Sequence, residues 1–107
     1  MTLKLAAIGD EMFIRMFELV GAMGYVAKTE EEVRKTLKQL VDSKEFAIII
    51  LPERFVDASR EIRRKLIEAG EYFPLFAFLP DHTGIKELRI EELKKLISLA
   101  VGTELKL

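Results

Sequence analysis

The chain has 107 residues, half of them hydrophobic and a third charged, with a formal net charge of −1 at pH 7. This size and apolar content are typical of one globular domain with its own core, and they argue against disorder. The absence of cysteine excludes disulfides, thiolate zinc sites and thiol nucleophiles, and the balanced charge argues against nucleic acid as the main partner.

No membrane-spanning or targeting segment is evident among the apolar runs of the sequence. The apolar run near the N-terminus, residues 5–8, is too short for the core of a signal peptide. The longest uninterrupted apolar stretch, residues 46–52, is about a third of the roughly 20 residues that a membrane span needs. We therefore expect a soluble, cytoplasmic protein with no segment inserted in a membrane.

The first half of the chain alternates strand and helix patterns. Residues 3–8 predict a first strand, and apolar residues at helical spacing from 12 to 23 predict a first helix that ends at Gly24. Residues 25–27 predict a second strand. Thr29 stands three residues before Glu32, the spacing of a capping box, and this predicts the start of a second helix that fades at residues 42–43.

The second half continues the alternation. Residues 46–51 form an uninterrupted apolar run, which indicates a strand buried on both faces. Residues 73–79 predict another strand, with Pro74 near its start and Pro80 directly after its end. A third helix between these strands has Asp57 or Ser59 as its N-cap and ends at Gly70. A fourth helix, ended by Gly102, is indicated by apolar residues at helical spacing, namely Leu88, Leu93, Leu96, Ile97, Ala100 and Val101.

The element order βαβαβαβα predicts the fold class. It is typical of an α/β domain, receiver-like or Rossmann-like, with a four-stranded parallel sheet and helices on both faces. We expect a single domain over residues 1–107, with a sheet-bearing body in residues 1–80 and a C-terminal helix and tail in residues 88–107. No fifth strand is evident.

Candidate catalytic and metal-binding residues are few, and each has a simpler explanation. Asp10 and Glu11 follow the first strand, where carboxylates could hold Mg²⁺, but Asp10 is better explained as a helix cap. His82, the only histidine, is better explained as a surface loop residue. No glycine-rich phosphate loop is present. We therefore predict no catalytic residue, no metal site and no cofactor.

Two classes of protein that share the predicted architecture are alternatives for the function. A phosphoacceptor receiver domain also has an acidic pair after its first strand, but it needs an acceptor Asp at the end of the third strand. Here that strand ends in Pro52-Glu53, and the next Asp is Asp57. A small-ligand-binding α/β domain is the other alternative.

Two surfaces suggest a partner protein. The third helix carries a cluster of cations that is either a solvated face or a contact for an acidic partner, namely Arg60, Arg63, Arg64 and Lys65. The tail, residues 103–107, keeps Leu105 and Leu107 beyond the predicted helix end. It is either an edge contact on the domain's own core or a docking segment for another chain.

The order and spacing of several segments resemble the F subunit of the V/A-type rotary ATPases. The resemblance runs nearly end to end, although Val20 and Pro52 depart from the usual pattern. It rests on Gly9-Asp10, on Phe17-x-Leu19-x-Gly21, on the third strand followed by Glu53-Arg54, on the proline-bounded strand 73–80, and on the closing Ala100-Val101-Gly102-x-Glu104-Leu105.

The resemblance implies a non-catalytic part of the central-stalk rotor. Such a protein binds the D subunit, a long coiled coil, and helps couple ATP hydrolysis or synthesis to ion translocation. A mobile C-terminal helix reaches toward the catalytic and regulatory hexamer. In this sequence the corresponding element is residues 91–107. Its expected partner-binding residues are Leu96, Ile97, Val101 and Leu105. The protein would be peripheral to the membrane, in the soluble sector of the complex.

Overall fold

The computed structural model describes residues 4–80 and residue 95, and these residues contain four strands and three helices. In chain order the elements are β1 Lys4–Gly9, α1 Glu11–Glu18, β2 Met23–Val26, α2 Glu30–Ser43, β3 Phe46–Pro52, a 3₁₀ turn Glu53–Phe55, α3 Val56–Glu68 and β4 Leu75–Leu79. Lys95 is helical. The rest of the predicted fourth helix, and the whole tail, lie outside the described residues.

The described strands form one parallel sheet in the order β2-β1-β3-β4. β1 and β3 are central: Ala7 lies opposite Gly24 of β2 on one side and opposite Ile50 of β3 on the other. β4 pairs with β3 over its full length, from Ile48 opposite Leu75 to Pro52 opposite Leu79. The α/β class and the parallel sheet predicted from the sequence are confirmed.

A hydrophobic cluster lies on each face of the sheet, because successive strand residues point to opposite faces. Leu5, Ala7 and Ile50 point toward α1, and Ala6, Ile8 and Ile49 point toward α2 and α3. The first cluster is completed by buried residues of α1, namely Phe13, Ile14 and Phe17, and the second by buried residues of the other helices, namely Val33, Leu37, Leu40 and Ala58. Helices therefore cover both faces.

The first helix is shorter than its apolar pattern predicted. α1 ends at Glu18, and Gly21, with φ of +100°, takes the left-handed conformation in the turn that follows. The expected stop, Gly24, instead lies within β2. Residues 23–26 pair with β1 instead of continuing the helix. This pairing gives hydrogen-bond partners to backbone N–H and C=O groups that a longer helix would have paired internally.

The start of α2 is the predicted capping box. The Thr29 hydroxyl accepts a hydrogen bond from the Glu32 N–H at 3.2 Å, and the Glu32 carboxylate accepts from the N–H groups of Lys28 and Thr29 at 2.9 and 3.1 Å. These two backbone donors, Lys28 first, hold the pKa of Glu32 below its ordinary value.

The cap predicted for α3 is wrong, while its end is confirmed. Neither Asp57 nor Ser59 is the N-cap: both lie inside the helix, which grows out of the 3₁₀ turn with Phe55 at the cap position and no side-chain cap. At the other end Gly70, with φ of +73°, donates to the Ile67 carbonyl, and the Glu71 N–H donates to the Leu66 carbonyl. This pair of bonds is a Schellman motif. The chain then passes through a cis Phe73-Pro74 bond into β4.

Candidate functional site

The residues expected to bind a partner fall outside the part of the chain that the structure describes. Leu96, Ile97, Val101 and Leu105 all belong to this set, as does His82. Their roles remain predictions. The surfaces that the structure does place are the carboxyl edge of the sheet, the outer face of α3, and the groove between α2 and α3.

At the carboxyl edge, the acidic pair has a structural role. The Asp10 carboxylate accepts a hydrogen bond from the Phe13 N–H at 2.9 Å and caps α1, as expected. Glu11 lies in the first turn, 3.8 Å from Arg15 one turn later. Asp10 therefore caps the N-terminus of α1, and the negative charges of both carboxylates interact favourably with the positive end of the helix dipole.

The geometry required of a receiver domain is not assembled in residues 4–80. β3 ends in Pro52, and Glu53 begins the 3₁₀ turn that leads into α3. Asp57 lies within α3 and pairs with Arg60 rather than facing Asp10. No group of three or more acidic or histidine side chains comes close enough in this region to hold a metal ion.

The cations of α3 are largely paired along the helix. Arg64 contacts Glu68 at 3.2 Å and Glu61 at 3.5 Å, and Lys65 reaches Glu61 at 4.0 Å. All of these side chains are more than half exposed, so each pair contributes less than about 1 kcal/mol to stability. The face is therefore a mixed-charge, solvated surface and not a concentrated positive patch.

Arg63 is the exception, because it points back onto the protein. Its Nε donates to the Ser59 hydroxyl at 3.0 Å, and one terminal nitrogen donates to the Val56 carbonyl at 2.8 Å. Its guanidinium also lies 5.1 Å from the centre of the Phe78 ring. Ser59 is fully buried and donates in turn to the Val56 carbonyl.

Arg63 therefore fastens α3 to β4. The charge pattern alone groups this residue with its exposed neighbours, but its guanidinium contacts Ser59, Val56 and Phe78 of its own chain. The Ser59-x-x-x-Arg63 spacing could have indicated the contact between these two side chains, because residues four apart lie on the same face of a helix.

A groove of about 1230 Å³ runs between α2 and α3, and no sequence pattern predicted it. Its lining includes apolar residues such as Val41, Ile62 and Leu66 and charged residues of both signs.

Comparison with known proteins identifies the family. Residues 5–97 match the family model described as the ATP synthase (F/14-kDa) subunit. The F subunit of the A-type ATP synthase of Methanothermobacter thermautotrophicus is 31% identical over 106 residues, which cover 98% of each chain. This chain belongs to the ATP synthase (F/14-kDa) subunit family. The F subunit of the V-type ATP synthase of Fusobacterium nucleatum is 23% identical over 95% of this chain and 94% of that one.

A solved structure supports the fold. The F subunit of the V-type ATP synthase of Archaeoglobus fulgidus matches with a TM-score of 0.62 and covers 74% of this chain and 99% of that chain, at 22% identity. Within residues 4–80, no helix is long and apolar enough to cross a membrane. The predicted family is confirmed, and the protein is a subunit of an A/V-type ATP synthase complex.

Proposed function

We propose that this F subunit is a non-catalytic part of the central-stalk rotor and binds the coiled-coil D subunit. The observation that carries the proposal is the family match over residues 5–97. Through the D subunit it would help couple ATP hydrolysis or synthesis to ion translocation. It would work on the cytoplasmic side, peripheral to the membrane.

The architecture of the body suits a part that transmits torque. A rotor element must resist deformation, and close-packed interiors have low compressibility. The central strands β1 and β3 are buried on both faces, and large side chains such as Phe13, Leu37 and Ile50 are fully enclosed. The Asp10 carboxylate at the carboxyl edge accepts a hydrogen bond from the Phe13 N–H and caps α1.

The C-terminal segment, residues 88–107, is proposed to contact the catalytic and regulatory hexamer and to regulate its activity. Its apolar positions Leu96, Ile97, Val101 and Leu105 are the proposed anchors, since buried apolar anchors supply most of the energy of a protein interface. Lys95, which is helical and exposed, is a neighbouring position to which we assign no anchoring role.

The first experiment tests the rotor assignment. The full chain and the D subunit are purified separately, mixed at equal concentration and run on gel filtration with light scattering. We expect one species with the summed mass of one copy of each. Two separate species would overturn the assignment to the central stalk.

The second experiment tests the C-terminal anchors in the assembled complex. Leu96→Glu combined with Ile97→Glu should change ATP hydrolysis by the complex, because charges at an apolar contact prevent its burial. Lys95→Glu is the matched control and should leave hydrolysis near the wild-type rate. Equal effects of the two variants would show that the apolar positions have no special part in regulation.

A further inference from the structure

We draw no further inference here: the strongest candidate, the groove between α2 and α3, is lined by apolar residues and by charges of both signs, and nothing in the part of the chain that the structure describes shows what covers it.

Discussion

At the scale of single residues, Gly9 is required by a close contact and not by backbone conformation. A Cβ at this position would lie 2.8 Å from Cδ1 and 3.3 Å from Cβ of Phe13. Phe13 cannot move freely, because it is fully buried and packs against Phe17 with ring centres 4.8 Å apart. β1 and α1 therefore approach each other as closely as they do only because Gly9 has no side chain.

We predict that Gly9→Ala lowers the free energy of unfolding by about 1–3 kcal/mol, the usual cost of overpacking a core. Phe13→Leu, which shortens the opposing side chain, should recover part of the loss when combined with it. Gly21→Ala is the matched control, because the φ of +100° strains an alanine there but the added Cβ would meet no atom within 4 Å. Urea unfolding of the single and double variants measures both effects. Equal rescue of the two alanine variants by Phe13→Leu would contradict the steric explanation.

The capping box at Glu32 predicts a dependence of stability on pH. The pKa of Glu32 is lower in the folded protein, so its contribution is present above the unfolded pKa and is lost as the pH falls through the folded pKa. Glu32→Gln keeps an acceptor oxygen but cannot titrate. We expect the variant to lose less stability than the wild type between about pH 5 and pH 3, measured by thermal unfolding. Glu31→Gln, beside it in the first turn, is the control and should follow the wild type closely.

These residues also show what the sequence can and cannot predict. The capping box and Gly70 were predicted correctly, because each signal lies within three or four residues of the helix end that it determines. Gly24 was assigned the wrong role because the sequence contains two glycines near the end of α1. Pairing with β1, a contact distant in sequence, decides that Gly21 takes the turn.

At the scale of elements, α3 depends on its contact with β4, since no side chain caps its first turn. The Ser59–Arg63 pair joins that turn to Phe78 instead. Helical periodicity predicted the existence of α3, because that pattern is local. It did not predict which polar residues turn inward, because that choice depends on the strand packed beneath the helix.

We predict that Ser59 and Arg63 are energetically coupled. Ser59→Ala leaves the Arg63 Nε without this acceptor, and Arg63→Met keeps much of the apolar stem while removing the donors. A double-mutant cycle by urea unfolding should give a coupling of about 0.5–1.5 kcal/mol, the usual net value of such a hydrogen bond. Arg64→Met, one residue further along on the exposed face, should show no coupling to Ser59→Ala. A coupling near zero for both pairs would contradict the anchoring role.

At the scale of the whole molecule, the order of elements in residues 4–80 was predictable from the sequence, whereas the partner-binding roles of the C-terminal residues stay predictions. Alternating strand and helix patterns predicted the fold because each unit has a strong apolar signal of its own. The proposed anchors, Leu96, Ile97, Val101 and Leu105, lie outside the described residues, and a partner-facing apolar residue has the same pattern as a core residue. Periodicity alone therefore cannot separate the two roles.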